Sequence, residues 1–188
     1  LPNLLKQPQR KNSPDIVHVH WIGAGFVSLG NLSKSHARII WTLHDAWPFT
    51  GGCHIINDCT EFKNSCGKCP QLGSNSNHDL SWLGWHRKNH LYKKTQPVFV
   101  APSRWIAAQA KSSSLLSQFR VEIIPNGLDT NTFQPIDKNL ARSLLGLPHN
   151  KKIVLFGAMS ATNDPNKGFD KLKSALTHLK QSYLSSEI

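Results

Sequence analysis

Five short apolar runs limit what this 188-residue chain can fold into. They are Asp15-Ile16-Val17-His18-Val19-His20-Trp21, Ile39-Ile40-Trp41-Thr42-Leu43, Val98-Phe99-Val100-Ala101, Val121-Glu122-Ile123-Ile124 and Ile153-Val154-Leu155-Phe156. All are β-branched or aromatic, and most lack polar alternation. That pattern suits strands covered on both faces of a parallel sheet. Helical patterns fall between several of them. Ser103 is predicted to N-cap a helix running from Arg104 towards Ser113. Asp137 caps a second through Leu140, Ala141, Leu144 and Leu145, with Gly146 as C-terminal cap and Pro148 barring continuation. A last helix opens near Gly168 and sets Phe169, Leu172, Leu176, Leu179 and Tyr183 on one stripe. Strand, helix, strand in succession predicts a doubly wound α/β chain with Rossmann-like domains.

One segment breaks the rhythm. Residues 46–86 offer no convincing helix or strand, yet they hold all four cysteines, Cys53, Cys59, Cys66 and Cys69. A loop of that length is expected to be functional or held by something. The spacing is C-x5-C-x6-C-x2-C, and four cysteines in one irregular loop of a reducing compartment favour a metal over disulfides. Four thiolates would make a closed, tetrahedral, structural zinc site. An iron–sulfur cluster, two disulfides in a secreted protein, and unrelated reduced thiols are the alternatives. His54 is a substitute ligand.

The formal net charge is +11, from 22 Lys and Arg against 11 Asp and Glu. Such an excess favours anionic partners. The basic residues are dispersed, with short clusters only at Arg87-Lys88 and Lys93-Lys94, and no nucleic-acid-reading motif accompanies them. No apolar run approaches the roughly 20 residues of a membrane span. The early basic residues Lys6, Arg10 and Lys11 precede no apolar stretch, so they are not read as a signal peptide.

Four strand-end motifs occur in a fixed order. They are Asp15-Ile16-Val17-His18-Val19-His20-Trp21; Trp41-Thr42-Leu43-His44-Asp45-Ala46-Trp47-Pro48-Phe49-Thr50-Gly51-Gly52-Cys53; Val100-Ala101-Pro102-Ser103-Arg104-Trp105; and Ile124-Pro125-Asn126-Gly127-Leu128-Asp129, followed by Phe133 and Pro135. Together they resemble retaining GT-B glycosyltransferases of glycosyltransferase family 4, a family that builds bacterial cell-surface polysaccharides. The similarity is greatest to a colanic-acid-type subgroup with a cysteine-bearing insert. The resemblance implies that residues 1–125 are the later part of an N-terminal, acceptor-side Rossmann-like domain. Residues 126–188 would be the linker and the first strand-helix unit of the C-terminal donor domain. On this reading the chain is truncated at both ends, and by itself transfers little or no sugar.

The resemblance also assigns roles. A retaining transferase stabilises a departing nucleoside diphosphate, chiefly through electrostatics. Lys167-Gly168, at the start of the last helix, is similar to the family's diphosphate-contacting pair, where a lysine adds to the free backbone donors. Gly157 lies at the preceding strand end, and the family's arginine after it has no counterpart here. His44, at a strand's C-terminal end, sits where open α/β sheets place ligand-binding groups. The resemblance implies that it faces the sugars, with Asp45 holding its tautomer or capping a turn. A plain hydrogen-bonded corner is the alternative for this pair. His18 and His20 share one side of their strand and are expected to be partly buried, with a metal-binding pair as the alternative. Asn126-Gly127 is expected to form a tight turn, with glycine adopting a backbone conformation closed to other residues; in the family that turn abuts the donor cleft.

The partners implied are a nucleotide-sugar donor and a glycan or lipid-linked acceptor, with no catalytic metal. The basic surface would hold the protein in the cytoplasm, near the anionic inner face of the membrane. Two other readings compete. One is a zinc-stabilised basic binder of nucleic acid or protein, the other a fragment of a different Rossmann-type enzyme such as a sugar epimerase. The latter lacks the Gly-rich dinucleotide fingerprint.

Overall fold

The computed structural model describes residues 14–23 and 25–183. Lys6, Arg10, Lys11 and Ser13, like the side chain of Tyr183, lie outside that description. The chain divides into two compact units, 1–128 and 129–188.

The first unit is built on a four-stranded parallel sheet: β1 (Ile16–Val19), β2 (Arg38–Thr42), β3 (Val98–Ala101) and β4 (Val121–Ile123). The strands lie in the order of the sequence, with Val19 beside Trp41, Thr42 beside Val100 and Ala101 beside Ile123. Parallel neighbours need crossover connections, and helices supply them. A short helix α1 (Leu29–Leu32) joins β1 to β2. α2 (Leu80–Thr95) leads into β3, and α3 (Arg104–Ser112) links β3 to β4. Ser103 caps α3 by accepting from the Ile106 N–H at 3.3 Å. The mixed α/β architecture with a partial Rossmann-like sheet is the one the apolar runs imply.

Apolar packing concentrates in this unit. Trp41, Phe49, Tyr92 and Phe99 are essentially inaccessible to solvent. Their rings stack or meet edge to face, as between Trp41 and Tyr92 at 5.9 Å and Tyr92 and Phe99 at 5.2 Å. Burial of each such side chain is worth about 2–3 kcal/mol before the entropy of ordering is counted.

Two expectations need correction. Residues 46–86 are not without helix, because α2 starts at Leu80, and three single-turn 3-10 segments (Trp47–Phe49, Glu61–Lys63, Pro70–Leu72) punctuate the rest. α2 escapes a periodicity reading because its buried positions are Ser81, Lys88, Leu91 and Tyr92, so half of the inward face is polar by composition. The fifth apolar run, 153–156, forms no strand, and among the described residues the second unit contains none. A strand needs a neighbour for its backbone groups. This run has none, and Leu155 is 93% exposed.

The second unit comprises α4 (Lys138–Leu144) and α5 (Phe169–Tyr183) with their connections. Asp137 caps α4 by accepting from the N–H groups of Asn139 and Leu140. Gly146, at φ 63°, follows it in the left-handed region. α5 begins immediately after Gly168. Its Leu176 and Leu179 are 42% and 49% exposed.

Candidate functional site

The C-terminal ends of β1 and β2 lie side by side, because Val19 pairs with Trp41. That register brings His20 and His44 together just past the strands. His20 Nδ1 and His44 Nε2 are 2.8 Å apart, and the two rings stack at 5.1 Å. One facing nitrogen must carry the proton and the other accept it. His18 bonds Thr42 Oγ1 at 2.8 Å, and its ring lies 4.3 Å from that of His20. All three histidines are exposed rather than partly buried. Desolvation first, then the neighbouring His20 and His44, pushes His18 below its ordinary value.

Asp45 does not hold His44. One of its oxygens accepts the Trp47 N–H at 2.9 Å, capping the turn that follows, and the other meets His54 Nδ1 at 2.6 Å. His54 therefore belongs to this corner. Together with Trp21, Trp41 and Trp47, these groups line a small concavity of about 80 Å³. Polar imidazoles on an aromatic floor suit the hydroxyls and apolar faces of a sugar ring.

The turn after Asp45 is held to an unusual degree. Each of its four consecutive carbonyls accepts from a side chain. Lys88 Nζ donates to Trp47 O at 2.6 Å and to Thr50 O at 2.9 Å. The Tyr92 hydroxyl donates to Pro48 O at 2.7 Å, and the Ser113 hydroxyl to Phe49 O at 2.6 Å. Buried backbone acceptors require such partners. Lys88 also lies 3.7 Å from the centre of the Trp47 ring, a cation–π contact. It is 1% exposed. Burial pushes its ammonium down to about 7, opposed by Cys66, Cys53 and Asp45. In the sequence Lys88 is one half of the short Arg87-Lys88 basic cluster, and nothing local marks that α2 buries it.

The four cysteines line a second cavity, of about 250 Å³, together with Ile56 and Phe62. None is disulfide-bonded, and each is half-buried. Burial pushes the Cys66 thiol up to about 11 and raises Cys53 as well. Among the described residues, no three His, Cys, Asp or Glu side chains already converge as a metal ligand set.

The remaining expected site residues are solvent-facing. Asn126 and Gly127 are exposed, and neither adopts a positive φ. The segment is thus an irregular connection rather than the tight turn expected of Asn-Gly, and a Cβ on Gly127 would meet nothing within 4 Å. Gly157 is exposed in irregular backbone. Lys167 ends the 3-10 turn Pro165–Lys167, and Gly168, at φ 70°, accepts from the Leu172 N–H at 3.1 Å as α5 opens. The basic side chain therefore stands at a helix N-terminus.

Comparison with known proteins adds two findings. The sequence profile of Glycosyltransferase Family 4 matches residues 1–132. The putative colanic acid biosynthesis glycosyl transferase WcaC of Escherichia coli (strain K12) is 25% identical over 230 aligned positions, covering 95% of this chain and 56% of that protein. The chain thus spans about half the length of the curated relative it matches. No solved structure gives a significant match.

Proposed function

Because this chain belongs to glycosyltransferase family 4, we propose that it serves the transfer of a sugar from a nucleotide-diphosphate donor to a cell-surface glycan or lipid-linked acceptor, with retention of configuration. The observation that carries this reading is the His20–His44 pair over an aromatic floor at the C-terminal edge of the sheet. That edge is where open α/β sheets bind ligands. His44 is the group offered to the sugars, and His20 sets its tautomer by sharing the proton between them. Asp45 acts one step back, shaping the Trp47 turn and His54. In the second unit, Lys167 and the N–H groups opening α5 are assigned to the donor diphosphate, with Gly157 near it in sequence. Asn126 and Gly127 serve the connection, with any donor contact made through exposed backbone. The relative's name supports a polysaccharide product.

No step here calls for a catalytic metal, since the leaving charge falls to basic groups and helix ends. The net charge of +11 supports loose contact with an anionic membrane face on the cytoplasmic side. Among the described residues, no helix is long and apolar enough to cross a membrane. By itself the chain is expected to transfer little or no sugar, because among the described residues the second unit forms no strand.

The test grafts residues 14–128 into the matching span of the Escherichia coli relative. Label is then followed from a panel of UDP- and GDP-hexoses into membrane glycolipids. Transfer that falls about a hundredfold on His44→Ala supports the reading. A folded graft that moves no sugar, or one indifferent to His44→Ala, contradicts it.

A further inference from the structure

The cysteine cavity has no part in the transfer chemistry proposed above, yet it needs an explanation. All four cysteines of the chain line one cavity of about 250 Å³, although they are spread over residues 53–69.

The wall of the cavity is firmly built. The Cys66 sulfur accepts the Gly51 N–H at 3.2 Å. Cys66, Gly67 and Lys68 all have positive φ, at 56°, 98° and 47°, which folds the C-x2-C turn back on itself. Side chains at the start of α2 pin that turn, with Gly67 N–H donating to Ser81 Oγ at 3.0 Å and Cys69 N–H to Asp79 at 2.8 Å. Backbone N–H to sulfur bonds and fixed ligand turns are the outer-shell supports that thiolate metal sites use.

We propose that Cys53, Cys59, Cys66 and Cys69, which line one cavity, together hold one structural zinc ion. Binding releases the four thiol protons to solvent, and the divalent cation leaves a centre of net negative charge. The thiols do not converge on one point here, so chelation must turn them inward from the cavity wall. Four thiolates with no open position select a closed, tetrahedral, non-catalytic site. Its effect would be to cross-link a segment that has only isolated turns before α2. The proposal is independent of the transfer reaction.

The test uses the whole chain, purified under reducing conditions without chelator and dialysed against zinc chloride. Elemental analysis is expected to find about one zinc per chain. The four thiols should resist a thiol reagent until a chelator is added, and cobalt substitution should give the spectrum of tetrahedral thiolate ligation. Cys66→Ser and Cys59→Ser should each lose the metal. Chelator titration of the unsubstituted protein decides the matter if the variants do not fold. Freely reactive thiols after zinc loading, disulfides in the anaerobically purified protein, or iron with acid-labile sulfide would each overturn the proposal.

Discussion

His20 and His44 were each visible in the sequence as a strand-end histidine, but their pairing was not. It follows from the parallel register that sets Val19 beside Trp41, which no local pattern encodes. Lys88 illustrates the same limit more sharply. A lysine beside an arginine reads as solvated surface, and only the tertiary fold makes it the donor to Trp47 O and Thr50 O. Lys88→Met should fill much of the same volume while leaving both carbonyls without their donor. The expected cost is about 2–4 kcal/mol, measured by denaturant unfolding. A red shift of tryptophan emission should accompany it as the Trp47 turn loosens.

At the scale of elements, strands with covered faces were legible because their apolar runs are short, β-branched and bounded. Helix caps were legible too, as at Ser103 and Asp137, because a cap is a local hydrogen bond. α2 was not, since packing rather than propensity decides its inward face. Its first turns come so close to the Gly51 segment that a Cβ on Gly84 would lie 1.9 Å from Gly51 O. Gly84→Ala should therefore destabilise the unit by about 1–3 kcal/mol despite its better helix propensity, read as a fall in the unfolding midpoint. Asp79 caps the same helix. Desolvation pushes its carboxyl up, but bonds from Cys69 N–H, the Ser81 hydroxyl and Trp82 N–H outweigh this and hold it well below the usual carboxylate range. A carboxyl depressed in the fold contributes stability above its unfolded value, near about 3.9, and loses it as pH falls further. Asp79→Ala should cost about 1 kcal/mol at neutral pH. Asp79→Asn should keep most of the cap while flattening the acid limb of a stability–pH profile.

At the scale of the molecule, the buried residues among those described all belong to the first unit. The second unit has its caps and its helix N-terminus at Lys167, but the run at 153–156 finds no ladder. Sequence reasoning took it for a strand because apolar β-branched composition signals that a segment would pair if a neighbour were present, not that one is. The central claim concerns the first unit, where the ends of β1 and β2 form a sugar-facing site around His20 and His44. The most direct measurement is a histidine-edited NMR titration of the chain with UDP-glucose, UDP-galactose, GDP-mannose and a glycolipid extract. The expected result is that the His20 and His44 side-chain resonances shift together and saturably with at least one of these, while exposed His36 and His149 stay fixed, and that His44→Ala removes the response at His20. Resonances at His20 and His44 that stay unmoved across the whole panel, or shifts spread evenly over all exposed histidines, would contradict it.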